Sequence, residues 1–328
     1  MTIRKKTLSV LLIAVLTVAV VFETATPSFA FSTFKKKSPF SKTGYSTYYH
    51  NKDKFDGYRV VHGVDVSEFQ SASKSSFSTA KKNGVDFAII RVSGTYYGKK
   101  DLVTYEDDGW KTHFKKARKA GVMTGLYHFS QAKTEAEARK EADWIIKKYE
   151  AGIKEMYGND ANPRAYLDMP IYMDYEFQSG CRIKSLSKSQ RTENAKAFCE
   201  RIEEKGYSAG VYGSTYFLFN SVSGKEIGKT YDIWAAQYWK KNEYDKSDYS
   251  KWQYSSSARI SGIRNTSGNK TNVDVNFWYL KRYRTVSDKS ASDIANCTIS
   301  AEPKSILYTG SPIKPTVSVT HNDTKLVK

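Results

Sequence analysis

The chain has 328 residues, of which 40% are hydrophobic and 26% charged, and this composition excludes a wholly disordered protein because enough apolar residues are present for a large core. The formal net charge of +18 favours a polyanionic partner, either a bacterial cell wall or a nucleic acid. Because the lysines are dispersed and no zinc-finger spacing or RNA-recognition signature is present, we expect anionic wall polymers and no nucleic acid.

The first 30 residues have the pattern of a secretory signal peptide. Residues 4–6 are all basic, an apolar stretch covers about residues 8–22, and residues 28–30 form a small-x-small cleavage pattern. The apolar stretch is short for a membrane span. We therefore expect a secreted protein, associated with the cell wall and without stable membrane insertion after cleavage.

Residues 31–58 are rich in Ser, Lys, Thr and Tyr and are interpreted as a linker or N-terminal arm. Strands and helices then alternate over residues 59–286. Strands are predicted at residues 60–67, 86–92, 122–130, 170–177, 208–212, 231–238, 252–255 and 272–277. Helices are predicted at residues 75–83, 113–120, 133–149 and 189–205. The alternation indicates a parallel α/β architecture, and eight strands favour a closed barrel, irregular because the long helices stop in the final third.

Residues 287–328 differ in composition and pattern from the region in which strands and helices alternate. Residues 287–295 are polar and linker-like, and Thr316–Thr320 alternate as a strand would. We interpret this end as a linker followed by a partial β-module, which is too short to close a β-sandwich by itself.

Three cysteines occur in this predicted secreted chain. Cys181 and Cys199 flank one loop and the start of a helix, so a disulfide between them is one prediction; three reduced cysteines is the alternative. Cys297 lies apart from both.

Two carboxylates alternate along the strand predicted at residues 170–177. Because side chains at positions i and i+2 of a strand point to the same face, Asp174 and Glu176 share a face with Tyr172. They also lie at the carboxyl end of the strand, where barrel active sites are built. Two like charges this close raise one pKa, which supplies a general acid beside an ionised partner. The alternative is a solvated strand end with two ordinary acids.

Further acids are predicted at the end of the first strand and at the end of the last one. If the barrel closes, these two strands are neighbours, and Asp65 and Asp274 meet at the rim that carries Asp174 and Glu176. No H-E-x-x-H zinc motif, G-x-S-x-G elbow or phosphate-binding glycine loop is present in the sequence. Chemistry that depends on acids alone points to glycoside hydrolysis.

Several ordered motifs resemble the glycosyl hydrolase family 25 lysozymes, or muramidases, from about residue 59 to about residue 283. The motifs are GVDVSEFQ at 63–70, DFAIIRVSGT at 86–95, GLYHFS at 125–130, YMDYEF at 172–177, WAAQY at 234–238, WQYSS at 252–256 and VDVNFW at 273–278. The resemblance implies an irregular TIM-like (β/α) barrel of eight strands and about five helices. It also implies hydrolysis, with retention, of the β-1,4 bond between N-acetylmuramic acid and N-acetylglucosamine in peptidoglycan.

The resemblance also implies roles for individual residues. Glu176 corresponds to the general acid, and Asp174 to its partner, which either steadies the substrate's N-acetyl group as internal nucleophile or stabilises a cation-like transition state. Asp65 and Asp274 complete the acidic site. The candidate sugar contacts are Tyr127, Tyr175, Trp234, Gln237 and Tyr238. No metal or cofactor is implied, and a monomer is expected.

Two other functions stay open at this point. A chitinase-like glycosidase uses a longer D-x-x-D-x-D-x-E motif, and Tyr172 stands where that motif has an acid two residues before Asp174. A wall-binding protein without activity would use the basic charge and the aromatic side chains. Pure binding does not require a matched set of four acids, which argues against that function.

Overall fold

The computed structural model describes residues 38–40, 55, 58–239 and 249–280, and the backbone of residues 298–302, 316–321 and 324–326. The predicted signal peptide, most of the predicted N-terminal arm, the linker at 287–295 and Cys297 lie outside the described residues. None of the helices in the described ranges combines the length and the hydrophobicity that a bilayer span requires.

Nine strands form the main sheet. They are β1 (Arg59–Val66), β2 (Phe87–Thr95), β3 (Thr104–Glu106), β4 (Met123–Ser130), β5 (Ile171–Tyr175), β6 (Ala209–Ser214), β7 (Asp232–Ala236), β8 (Lys251–Ala258) and β9 (Val273–Leu280). Their order is β1-β9-β8-β7-β6-β5-β4-β2-β3, and pairing of β1 with β2 closes eight strands into the predicted barrel. The short strand β3 was not predicted; it pairs with β2 outside the ring.

The direction of the last strand differs from the parallel architecture that the alternation indicated. Strands β1, β2 and β4 to β8 pair in parallel, but β9 runs antiparallel to both β8 and β1. The connection at residues 259–272 contains no helix. A parallel return normally needs a crossover of a dozen or more residues, usually helical, whereas an antiparallel return does not.

Six α-helices occur in the described residues, where the resemblance implied about five. They are α1 (Phe77–Lys82), α2 (Trp110–Lys119), α3 (Glu135–Tyr157), α4 (Lys188–Glu204), α5 (Thr215–Asn220) and α6 (Gly224–Ile227). The helices α5 and α6 are too short to show a 3.6-residue periodicity, so the sequence pattern did not predict them. Side chains of Ser76, Thr134, Ser187 and Ser214 cap four of the helices by accepting a backbone N–H.

Two hydrophobic layers follow from the alternation of the strands. The outward faces pack against the helices, and a smaller inward cluster fills the barrel with side chains such as Phe87, Ile89, Tyr172 and Trp234. Towards the carboxyl ends of the strands the inward positions become polar, and Asp65 of β1 is one of them. The apolar cluster therefore closes one end of the barrel and leaves the other end for chemistry.

The C-terminal strands form a second sheet. Its strands β10 (Thr298–Glu302), β11 (Thr316–His321) and β12 (Thr324–Leu326) pair antiparallel in that order. The strand predicted at residues 316–320 is β11.

The predicted disulfide is wrong, because Cys181 and Cys199 are both free thiols. Cys199 is buried on α4, and its Sγ lies 3.7 Å from the carbonyl oxygen of Gly210 on β6. Cys181 lies outside α4 in the preceding turn and is partly exposed. Burial raises the pKa of the Cys199 thiol well above its ordinary value, so this cysteine behaves as a small apolar side chain.

The packing of α3 on α2 provides a stability test. A Cβ at Gly152 would lie 2.3 Å from the ring of Trp110, whose Nε1 donates to Glu106 at 2.8 Å. We expect Gly152→Ala to lower the free energy of unfolding by about 1–3 kcal/mol, because the clash in this buried layer outweighs the better helix propensity of alanine. Urea unfolding measures it, and Lys154→Ala, at an exposed position of the same helix, is the control. A Gly152→Ala protein as stable as wild type would contradict this packing.

Candidate active site

The mouth of the barrel holds a cavity of about 920 Å³ at the carboxyl ends of the parallel strands. Its charged lining consists of seven acids and one cation, which is Arg91. The acids are Asp65, Glu68, Glu106, Asp108, Asp174, Glu176 and Asp274. The four acids that the sequence singled out therefore lie in one cavity.

Asp65 and Asp274 are direct neighbours across the β1–β9 pair, where they face each other in register. Asp274 is the second residue of β9, at its amino end rather than at the carboxyl end that the sequence suggested. Because β9 is antiparallel, its first residues lie on the same rim as the last residues of β1. The antiparallel strand thus brings the pair together.

A hydrogen bond joins the two carboxyl groups of this pair. Asp65 Oδ2 accepts hydrogen bonds from Gln253 Nε2 at 2.9 Å and from Asn276 Nδ2 at 2.8 Å, and Asp274 also bonds to it. Burial and the neighbouring Asp65 raise the pKa of Asp274 to about 9. Burial also raises the pKa of Asp65, and its hydrogen bonds with Asn276, Gln253 and Asp274 oppose that rise, so the pair as a whole favours retention of a proton at neutral pH.

Asp174 points into the barrel from β5 and is only 8% exposed. Burial, and then the carboxylates of Glu176 and Asp65, raise its pKa well above the ordinary value, while Arg91 opposes the shift. Its Oδ1 is buried and has no hydrogen-bond partner in the described part of the chain. Buried polar atoms are normally paired, so this oxygen is an acceptor available to a ligand.

Glu176 follows the last residue of β5 and is half-buried at the cavity wall. Burial raises the pKa of its carboxyl group, and Asp65 adds to the shift. Gln178 opposes the shift, because its Nε2 donates to Glu176 Oε1 at 3.1 Å. A carboxyl group with a raised pKa at a solvent-accessible wall can deliver a proton to a bound molecule.

Arg91 is a site residue that the sequence reasoning missed. Its side chain is buried and bonds to Asp107 at 2.9 Å and to Glu68 at 2.7 Å. Buried charges require partners, so the single Arg within the apolar strand DFAIIRV was the available signal. Its positive charge beside the cavity partly offsets the negative charge of the acids that line it.

Gln253 on β8 was also missed, and it joins the acids to the aromatic wall. Its Oε1 accepts from the hydroxyl groups of Tyr212 and Tyr238, each at 2.8 Å, while its Nε2 donates to Asp65. Trp234 lies at the floor of the cavity, and its Nε1 donates to Asn276 at 2.8 Å. These bonds orient the Asp65 carboxylate from behind.

The five candidate sugar contacts divide into two groups. Tyr127, Trp234 and Tyr238 line the cavity. Tyr175 does not: its ring is fully buried on the opposite face of β5, where its hydroxyl donates to the carbonyl of Ala132 at 2.8 Å. Gln237 is not among the lining residues either, although its carbonyl accepts from Trp252 Nε1. Tyr175 was therefore a wrong expectation.

Exposed apolar side chains mark the same end of the barrel. Eight large ones are exposed among the described residues, and all lie in segments that follow strands β1, β2, β5, β6 and β7. They are Phe69, Tyr96, Tyr97, Val103, Phe177, Tyr216, Tyr238 and Trp239. Such a grouping is typical of a binding surface.

Comparisons with known proteins agree on one family. A family model described as glycosyl hydrolases family 25 matches residues 64–263. The autolytic lysozyme of Clostridium acetobutylicum is 23% identical over 203 residues, which are 62% of this chain and 53% of that protein. Lysozyme M1 of Streptomyces globisporus is 31% identical over 71 residues, which are 22% of this chain and 21% of that protein.

Solved structures share the fold. The modular autolysin LytC from Streptococcus pneumoniae superposes with a TM-score of 0.52 and 24% identity, over 71% of this chain and 50% of that chain. The spore cortex lytic enzyme SleM from Clostridium perfringens gives a TM-score of 0.53 and 23% identity, over 67% of each chain. The chain thus spans about half the length of the autolytic lysozyme and of LytC.

Proposed function

The chain belongs to glycosyl hydrolase family 25, and from this premise we propose that it is a lysozyme that hydrolyses the β-1,4 bond between N-acetylmuramic acid and N-acetylglucosamine in peptidoglycan. One observation carries the proposal above the others. Asp174 on β5 and Glu176 just after that strand both line the mouth of an acidic cavity, and the pKa of each is raised. Glycoside hydrolysis requires such a carboxyl pair.

Glu176 is the general acid in this proposal. Its carboxyl proton passes to the glycosidic oxygen as the bond from that oxygen to C1 of N-acetylmuramic acid breaks, and N-acetylglucosamine leaves. The raised pKa of Glu176 keeps the proton available in mildly acidic solution.

Asp174 acts on the sugar that remains. Its unpartnered Oδ1 is suited to accept the N–H of the substrate's acetamido group. That bond turns the acetamido carbonyl oxygen towards C1, where it forms the new C–O bond and a positively charged ring. The positive charge lowers the raised pKa of Asp174 as it develops, so the carboxylate form of Asp174 is favoured in this intermediate and stabilises it.

Water completes the reaction. The Glu176 carboxylate accepts a proton from a water molecule as the water oxygen attacks C1 and the ring opens to regenerate the acetamido group. Two displacements at C1 give net retention. The hydrogen bonds from Gln253, Asn276 and Asp274 hold Asp65 in place behind the reacting carboxylates.

We propose from the sequence that the enzyme is secreted and acts at the cell wall. Residues 1–30 predict secretion, and the net charge of +18 over the full sequence contrasts with the acidic cavity, which favours contact with anionic wall polymers outside the cavity. We assign catalysis to residues 59–286, and to residues 287–328 the role of a linker with a partial β-module.

Digestion of purified peptidoglycan tests the function directly. The fragments are reduced with borohydride and analysed by mass. Muramitol ends are expected; glucosaminitol ends would mean that the other glycosidic bond is cut. If no new ends appear and the protein still pellets with the walls, the chain is a wall-binding protein and the enzyme proposal is wrong.

The hydrogen bond from Gln178 predicts a pH effect. Its amide stabilises the ionised form of Glu176 and so lowers the pKa of that carboxyl group. In Gln178→Ala the acid keeps its proton to higher pH, and the alkaline limb of the kcat/KM profile is expected to move to higher pH. Gln70→Ala, which removes an amide from the same cavity, is the control. If the alkaline limb of Gln178→Ala stays in place or moves to lower pH, Glu176 is not the acid.

A further inference from the structure

The loop between β2 and β3 forms one wall of the cavity and differs from the rest of it in charge. We call residues 96–103 the Tyr96 loop. Its Tyr96 and Tyr97 line the cavity and are 47% and 55% exposed. Lys99 and Lys100 follow them, are exposed, and form no ion pair within the described ranges of the chain. Asp101 offsets one of these two positive charges, so the net charge of the loop is still positive.

Backbone contacts hold the Tyr96 loop although its side chains are exposed. The amide of Tyr96 donates to the carbonyl of Val103 at 2.9 Å, and Gly98 donates to Gly180 at 2.9 Å. The carbonyl of Lys100 accepts from Arg182 Nη2 at 3.2 Å. These hydrogen bonds tie the loop to the segment that follows Glu176.

The two tyrosine rings are also supported from behind. Tyr96 lies against Tyr105 with the ring centres 4.7 Å apart, and Tyr97 meets Phe129 edge-on at 6.5 Å. The rings thus form a pre-positioned apolar wall, and binding against them requires little further ordering.

From this arrangement we propose that the Tyr96 loop binds the peptide stem of peptidoglycan, with Lys99 and Lys100 facing its carboxylates. The inference rests on the proposed function. Each N-acetylmuramic acid carries a lactyl-linked peptide with free carboxylates, and a cavity with seven acids and one Arg repels them. Lys99 and Lys100, which follow the cavity-lining Tyr97 and have no ion-pair partner among the described residues, attract these carboxylates, and we therefore expect the stem to leave the cavity over this loop.

The test compares two substrates that differ only in the peptide. One is uncrosslinked glycan strands with their stems, and the other is the same strands after an amidase has removed the stems. For Lys99→Glu/Lys100→Glu we expect KM for the peptide-bearing strands to rise about tenfold at low ionic strength, with kcat unchanged. KM for the stripped strands is expected to change less than about twofold.

A charge-matched variant separates this effect from general attraction to the wall. Lys225 and Lys229 are exposed on the connection through α6 that leads into the start of β7, at the opposite end of the barrel. Lys225→Glu/Lys229→Glu carries the same change in net charge and is expected to behave as wild type on both substrates.

The possible results are distinguishable. Suppose that wild type cleaves both substrates. The stem-binding inference is overturned if KM of the Lys99/Lys100 variant rises equally for both substrates, and also if KM of the Lys225/Lys229 variant for the peptide-bearing strands rises as much as that of the Lys99/Lys100 variant. If wild type cleaves neither substrate, the proposed function itself fails.

Discussion

Replacing Glu176 with Gln is expected to lower kcat for peptidoglycan hydrolysis by about 10³-fold, with KM within about twofold of wild type. The amide keeps the shape and the hydrogen-bonding capacity of the side chain, so binding is preserved. It carries no acidic proton, and the leaving oxygen would depart as an unprotonated alkoxide. Release of reducing ends from soluble glycan strands measures the rate.

Glu106→Gln is the matched control for this experiment. Glu106 lines the same cavity, and burial alone would raise its pKa. Hydrogen bonds from Lys148 and Trp110 outweigh burial and hold the pKa below its ordinary value, so Glu106 is ionised and cannot act as the acid. We expect less than about a threefold change in kcat for this variant. A Glu176→Gln protein that retains a tenth of wild-type kcat would remove Glu176 from the acid role.

Asp174→Asn is expected to lower kcat by about 10²-fold, because a neutral amide cannot stabilise the positive charge that develops beside it. The measurement uses the same assay at the pH of maximal wild-type activity. Asp108→Asn, an exposed acid on the same cavity, is the control and is expected to change kcat less than about threefold. Equal losses in both variants would mean that Asp174 contributes only to the general negative potential.

A second substrate distinguishes the two roles that Asp174 can have. On glycan strands whose N-acetyl groups have been removed, no acetamido oxygen is present to attack C1. If Asp174 orients that group, wild type loses most of its activity on these strands and Asp174→Asn causes little further loss. If Asp174 only stabilises a cation-like state, wild type remains active and the variant loses about 10²-fold on both substrates.

The chemistry of β5 was predictable because it depends on local periodicity. Alternation along one strand places Asp174 and Glu176 on a common face, whatever the rest of the fold does. The same rule places Tyr175 on the opposite face, so its burial against Ala132 could also have been predicted. The error arose because Tyr175 was taken as a sugar contact from the resemblance, although the alternation of the strand places it on the face opposite Asp174 and Glu176.

The strand direction at the end of the barrel was not predictable in the same way. Alternation is identical in parallel and antiparallel strands, so the pattern at Val273–Leu280 predicts a strand without its direction. The free thiols are a similar case. A disulfide requires Cβ atoms about 4 Å apart, and the spacing of Cys181 and Cys199 along the chain does not determine that distance.

The sequence by itself thus determined the strand periodicity, the acids at the strand ends and the closed barrel that collects them. The tertiary structure decided how those acids are held. Asp65 receives its hydrogen bonds from Gln253, 188 positions away, and from Asn276, 211 positions away. Arg91 finds its partners in Glu68 and Asp107 on two different loops. Periodicity reflects interactions between near neighbours along the chain, whereas a hydrogen bond between distant residues exists only once the barrel has closed.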